Sequence, residues 1–179
     1  MSANDDATHW ARDIHNLFQA HHVTLVSFVP DAGHKRLIEL CTADDAIRTV
    51  TLTTEEEGVA LAAGAYLGGV RSAMLIQSSG VGNCVNMFSL PRTCHLPFFA
   101  VVTMRGEWGE FNPWQVPMGQ STQTVLEASG ITVFRADTAS EVGPTVEGAL
   151  QLAWQSRRRV AVLLSQQLLG AKRFAGEAS

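Results

Sequence analysis

The sequence predicts a single α/β domain built on a mostly parallel six-stranded sheet with helices on both faces. Three observations lead there. Six short apolar runs alternate with segments of helical periodicity along the 179 residues. Most of the runs, VTLVSFV, PFFAVVTM and RVAVLLS among them, are rich in apolar side chains, as strands covered on both faces are. The polar and glycine-rich stretches PDAGHK, TTEEE, SSGVGN and RGEWGEFNPWQVPMGQ each follow a strand, where open parallel sheets bind their ligands.

Taken in order, residues 8–21 carry Trp10, Ile14, Leu17 and Phe18 at helical spacing, and VTLVSFV (23–29) is a β-branched run stopped by Pro30. GHKRLIELC (33–41) reads as a second helix and IRTVTLT (47–53) as a second strand. The next helix opens with three carboxylates, Glu55, Glu56 and Glu57, behind Thr53 and Thr54. Thr53 or Thr54 as N-cap, a Glu closing a capping box and acidic groups at the positive end of the helix dipole account for one or two of them. At least one is left for another task. Val59, Ala62, Ala63, Tyr66 and Leu67 share one face, while Leu61 and Ala65 make the opposite face apolar, so this helix is expected to be buried all round, between the sheet and a second chain.

SAMLIQ (72–77) is the third strand, SSGVGN (78–83) a loop, and a helix continues to about Leu90 before the strand PFFAVVTM (97–104). Arg105 to Gln120 is a long loop, QSTQTVLEASG (120–130) a helix and ITVFRA (131–136) a strand. Val142, Val146, Ala149, Leu150, Ala153 and Trp154 mark the last amphipathic helix, and RVAVLLS (159–165) the last strand. No internal repeat or linker divides the chain, so one domain is expected over residues 1–170, with a disordered tail over 171–179.

The composition, 46% hydrophobic and 17% charged, with mean hydropathy +0.07, is charge-poor for a monomer and points to a buried interface. Thirteen basic against seventeen acidic residues give a net charge of −4, which argues against nucleic acid or an anionic membrane as partner. Arg157, Arg158 and Arg159 read as a solvated helix C-terminus. Cys41, Cys84 and Cys94 have no C-x-x-C spacing, consistent with a reducing compartment. The polar, acidic opening MSANDDATHW is neither a signal nor a transit peptide, so a cytoplasmic protein is expected.

The chemistry-bearing stretches each have a plain reading beside the functional one. SSGVGN sits where a phosphate-cradling loop would, but it is neither a P-loop nor a dinucleotide fingerprint. Ser78 and Ser79 can bind a ligand or satisfy local backbone. Arg105 suits an anionic oxygen cluster or pairs with Glu107 or Glu110. Tryptophans 108 and 114 in a loop call for burial against a ligand or another subunit. His34, at a strand end, is placed to meet a ligand, although simple surface solvation explains it more economically; Asp31 reads as a turn or cap residue. No histidine pair has metal-ligand spacing, so no metal held by this chain is expected.

Together the strand-end glutamate, the small-residue helix ending AAGAYLGG, the QSSGVGN turn and RGEWGEFNPWQVPMG resemble the pyrimidine-binding domain of thiamine-diphosphate-dependent decarboxylases. Within that class the likeness is to the α subunits of sulfopyruvate decarboxylases and next to phosphonopyruvate decarboxylases, over roughly residues 10–168. The resemblance implies that a glutamate hydrogen-bonds the cofactor's pyrimidine nitrogen and so promotes formation of the reactive ylid. Counting back nine residues from Gly64 lands on Glu55; Glu56 is the fallback because the tyrosine that follows the family's glycine is displaced to Tyr66, and Glu57 is left as a capping residue. By the same resemblance Gln77, Ser78, Ser79 and Asn83 lie near the cofactor, and Arg105, Gln115 and His34 face the anionic tail of a 2-oxo acid. The G-D-G that holds magnesium in such enzymes does not occur in this sequence. The implied magnesium-binding half is therefore a separate pyrophosphate-binding β subunit, with self-association of this chain also expected. Carboligation, decarboxylation of a different 2-oxo acid, or a non-catalytic ligand-binding or regulatory domain are the competing readings.

Overall fold

A computed structural model describes residues 9–171. Helix α1 (His9–Ala20) leads into β1 (Val23–Phe28), α2 (Lys35–Thr42), β2 (Arg48–Thr51), α3 (Glu55–Leu67) and β3 (Arg71–Gln77). Two short helices, α4 (Ser78–Asn83) and α5 (Ser89–Thr93), precede β4 (Phe98–Thr103). A single 3₁₀ turn (Pro113–Gln115) runs into α6 (Val116–Ala128), followed by β5 (Thr132–Ala136), α7 (Ala139–Trp154), β6 (Arg159–Leu164) and α8 (Gln166–Leu169).

The six strands form one sheet in the order β2-β1-β3-β4-β6-β5, and every pairing is parallel. The expected sheet is thus present, and parallel throughout rather than mostly so. The central strands β3, β4 and β6 are buried almost end to end, whereas the edge strands β2 and β5 expose part of their length. That contrast explains the unbroken apolar runs: side chains on both faces of a central strand meet a helix layer.

One layer, from α1, α2 and α7, lays Ile14, Phe18, Leu37, Val146 and Leu150 on Val26, Leu75, Val101 and Val162. There Phe18 meets Phe99 edge to face with ring centres 6.3 Å apart. The other layer, from α3 to α6, sets Val59, Val81, Phe88 and Leu126 on Met74, Ile76, Val102 and Leu163. Each such buried side chain contributes roughly 1.5–3 kcal/mol, so the alternation of residues between the two cores fixes the register of every central strand.

From β1 the chain steps outward to β2, then returns past β1 to β3. The reversal opens a crevice between β1 and β3 at their carboxyl ends, the position where such sheets take ligands.

Four local expectations change. SSGVGN is the helix α4, springing from Gln77 in extended conformation, and not a loop. It does not run on to Leu90: Pro91 lacks an N–H and fits only a helix's first turn, so the helical path restarts at Ser89. The long loop ends early, because Pro117 sits in the first turn of α6, where proline is tolerated. Its base is pinched by Gly106 against the Gln115 backbone and by Gly119 against the Arg105 backbone, contacts that leave no room for a Cβ. Within this chain helix α3 buries the face carrying Gly58, Val59, Ala62 and Ala63 against the sheet, and the side expected to meet a second chain carries Leu67, 75% exposed. Arg157 and Arg158 are solvated as expected, but Arg159 enters β6 and donates to the carbonyls of Gly130 and Pro91. Most of the expected tail, residues 172–179, lies outside the described residues.

Candidate active site

The three glutamates at the start of α3 have three different partners. Glu57 accepts from the Thr53 backbone N–H at 2.9 Å, satisfying a donor just ahead of the helix. Thr54 donates through Oγ1 to Glu56 at 3.4 Å. Neither threonine hydroxyl caps the helix: Thr54 has the extended backbone of an N-cap but its hydroxyl accepts no helix N–H, and Glu57 takes the N–H one residue ahead of it, so the expected capping box is not made. Glu55 alone reaches another element. Its Oε2 accepts from Asn83 Nδ2 at 2.7 Å, and a Cβ on Gly80 would lie 2.6 Å from its Cγ and Oε1. The absence of a side chain at 80 therefore lets Glu55 lie against α4.

At the β1/β3 crevice Asp31 is the hub. Its Oδ1 accepts from Gln77 Nε2 at 2.9 Å, and its Oδ2 from Thr103 Oγ1 at 2.7 Å and the Gly33 N–H at 3.1 Å. Ser79 Oγ donates in turn to Gln77 Oε1 at 2.7 Å. The Gly33 bond is the turn expected of Asp31; the links to β3 and β4 are not, and nothing in the local sequence signals them. Burial pushes the Asp31 carboxyl up, but nearby His34 and the hydrogen bonds from Thr103, Gln77 and Gly33 outweigh it and hold the carboxyl below its usual value.

His34 is not solvated. It is 1% exposed, and neither ring nitrogen has a hydrogen-bond partner, with Asp31 Oδ2 at 3.8 Å from Nδ1. Burial drives the imidazole down to about 4 against the pull of Asp31. The unfolded chain therefore takes up this proton first, near the ordinary value of 6.5, and stability complete above that pH is lost as pH falls toward 4. Melting experiments are expected to show a loss on the order of 3 kcal/mol across that window. His34→Asn should flatten that limb.

The loop after β4 is tied from within. Ser78 Oγ, fully buried, accepts from the Arg105 N–H at 3.0 Å. The Arg105 guanidinium donates through Nε and Nη2 to both oxygens of Glu110, each at 2.6 Å. Glu110 also accepts from the N–H groups of Gly106 and Asn112 and from Gln166 Nε2. Gln166, the first residue of α8 just after β6, takes the Glu107 and Trp108 N–H groups on its Oε1, while Glu107 pairs with both arms of Arg135. Gln115 keeps a buried Oε1 without a partner. Outward, Trp108 is 49% and Trp114 86% exposed.

Of the residues nominated from sequence, the structure thus joins Glu55 to Asn83, Gln77 to Ser79, and Ser78 to the Arg105 backbone, and leaves His34 and Gln115 with buried polar atoms unpaired. Asp31, Thr103, Glu110 and Gln166 escaped sequence reasoning as site residues. The one available signal for Gln166 was its place just after a strand. Among the described residues no group of His, Cys, Asp or Glu is arranged to hold a metal, and no helix is long and apolar enough to cross a membrane.

No family model matches the chain. It is 36% identical over 143 residues to the sulfopyruvate decarboxylase subunit alpha of Methanococcus maripaludis, covering 79% of this chain and 86% of that one. The protein of the same name from Methanothermobacter thermautotrophicus is 37% identical over 137 residues, covering 76% and 83%. The phosphonopyruvate decarboxylase of Streptomyces viridochromogenes is 38% identical over 107 residues, 59% of this chain but only 27% of that longer one. Among solved structures, a 2-oxoglutarate:ferredoxin oxidoreductase from Magnetococcus marinus superimposes with a TM-score of 0.70 at 13% identity, over 94% of this chain and 34% of its own. At that identity the likeness speaks for the fold alone.

Proposed function

The chain belongs to the sulfopyruvate decarboxylase α-subunit family, and from that premise we propose that it supplies the pyrimidine-binding half of a thiamine-diphosphate-dependent enzyme. That enzyme converts 3-sulfopyruvate, or a similar anionic 2-oxo acid, to an aldehyde and carbon dioxide. The observation that carries the reading is the Glu55 carboxylate, held across to α4 by Asn83 with Oε1 left outside that hydrogen bond.

The residues present fit the cofactor. A ring of nitrogen donors and acceptors needs a carboxylate and short polar side chains at one sheet end, and Glu55, Gln77 and Ser79 provide them, with Asn83 bonded to Glu55. Bound thiamine diphosphate supplies the electron sink for the charge left when a 2-oxo acid loses carbon dioxide. Glu55 would accept a hydrogen bond at the cofactor's pyrimidine nitrogen. Gln77, its amide oriented by Asp31 and Ser79, keeps one N–H for a bound group. Glu110 occupies Nε and Nη2 of Arg105, which leaves Nη1 for the substrate's anionic tail; Gln115 and His34 are the other side chains assigned to that tail in this reading.

The magnesium-binding half belongs, in this reading, to a separate pyrophosphate-binding β subunit. Two facts support it: the relatives matched over 86% and 83% of their length are named as alpha subunits, and no G-D-G occurs in the sequence. The partner or a second copy of this chain covers the open face of α3 around Leu67, and a cytoplasmic location goes with the assignment. The test is carbon dioxide release from 3-sulfopyruvate with thiamine diphosphate and magnesium. This chain alone is expected to be inert, and activity is expected only with a co-expressed partner carrying G-D-G. A stable complex that is inert on sulfopyruvate and phosphonopyruvate but forms products from another 2-oxo acid would overturn the substrate. Absence of both partner and cofactor binding would overturn the whole reading.

A further inference from the structure

We propose that Asn83 is a positioning residue that acts on the reaction only through Glu55, by fixing which carboxylate oxygen the site presents, and that Gly80 supplies the space this arrangement needs. The inference rests on the role proposed for Glu55. Asn83 stands at the last position of α4, 28 residues along the chain from Glu55, and its Nδ2 donates to Oε2 at 2.7 Å. The side chain is exposed, so it carries no part of the core, and an exposed hydrogen bond contributes little to folding. Its effect is instead geometric.

A carboxylate on a two-carbon stem at the mouth of a helix samples several rotamers. Here one oxygen is engaged by Asn83, while the stem lies against the bare Cα of Gly80, where a Cβ would stand 2.6 Å from both Cγ and Oε1. With Oε2 held, Oε1 is the oxygen left to receive a hydrogen from a ligand. Among the described residues the neighbouring glutamates have no such brace, since Glu56 and Glu57 bond to Thr54 and Thr53 beside them. Two independent contacts, a donor at one end of α4 and a missing side chain in its middle, therefore orient the same carboxylate.

The experiment uses the full chain with its partner subunit, loaded with thiamine diphosphate and magnesium but without substrate. It measures how fast the thiazolium C2 hydrogen exchanges with deuterated solvent, with cofactor affinity read separately by calorimetry. Asn83→Ala is expected to slow exchange about 10- to 100-fold, as loss of a residue that orients a reactive group does, with the melting temperature unchanged. Glu55→Gln should slow it further, and the double variant should equal Glu55→Gln, the non-additivity expected if Asn83 works only through Glu55. Asn83→Asp sets a second carboxylate against the first, so the exchange profile should move to higher pH. The other titratable groups facing Glu55 are Glu56 and the Cys84 thiol, which burial, then Glu55 and Glu56, raise to about 12. If Glu55→Gln slows exchange while both Asn83 variants match wild type, the positioning role is overturned and the Glu55 role stands. Wild-type exchange in Glu55→Gln would instead remove the reading on which the inference rests.

Discussion

Glu55→Gln is expected to lower turnover of the complete enzyme on the order of 10²- to 10⁴-fold, the usual range for loss of a positioned proton-handling group, while leaving the chain folded. The substitution keeps the shape of the side chain, its acceptor for Asn83 and its place against Gly80. What it removes is the negative charge that, in the proposed role, would hold a hydrogen on a ring nitrogen of the cofactor. The parallel change Glu56→Gln touches only the Thr54 hydroxyl and should leave turnover within about twofold, because surface changes away from special features are nearly neutral. Glu57→Gln weakens the bond from the Thr53 N–H and should cost less than about 1 kcal/mol of stability with no kinetic defect. Steady-state rates and melting curves on the three variants separate a catalytic carboxylate from two local ones. A mild Glu55→Gln and a severe Glu56→Gln would exchange their roles.

The second large effect is structural and lies in the loop after β4. Glu110→Ala should lower stability by about 3 kcal/mol, because it strands the Arg105 guanidinium without its partner in a buried setting. The two side chains are 10% and 3% exposed, and four further protein groups depend on or border the Glu110 oxygens: the Gly106 and Asn112 N–H groups, Gln166 and, through Gln166, Glu107. For a domain of this length that loss corresponds to a fall of roughly 10 °C in melting temperature. Breaking the outer pair by Arg135→Ala should cost no more than about 1 kcal/mol, since the Arg135 side chain is 35% exposed and water screens the interaction.

The pH dependence follows from the same contacts. Hydrogen bonding to Arg105 holds the Glu110 carboxyl down to about 2, against burial and with help from Asn112, Gly106 and Gln166. The stabilisation is therefore complete above its ordinary 4.5 and disappears as pH falls toward 2. Wild type should lose stability first through His34, between about 6.5 and 4, and then through Glu110. Glu110→Ala should remove the second limb only. Amide exchange across residues 105–112 should rise in this variant if the network is what orders the loop.

Much of the architecture was legible in the residues themselves. Strand and helix periodicities are written in contiguous side chains, so six strands and their intervening helices could be placed within a few residues. The parallel sheet followed from their alternation. Boundaries failed where a single residue's backbone context decided them. SSGVGN looks like loop chemistry, yet its glycines take ordinary helical torsions in a short turn launched by β3. Pro117 looks like a loop breaker, yet it occupies the first turn of α6. The Thr138-to-Glu141 capping box, which starts α7 three residues before its first periodic valine, was readable and was missed because the apolar pattern begins later.

By itself the sequence determined the fold class, the grouping of polar residues after strands, and the acidic opening of α3, because each depends on neighbours a few positions apart. Only the tertiary structure decided which glutamate leaves its own helix, that His34 is sealed beside Asp31, and that Arg105 is already held by Glu110. Those outcomes depend on pairs such as Glu55 with Asn83, Gln77 with Asp31 and Thr103 with Asp31, separated by 28, 46 and 72 residues. Which of them meet is set by the strand order β2-β1-β3-β4-β6-β5. That order emerges from burying both faces of the sheet at once, a property of the whole chain that no local pattern contains.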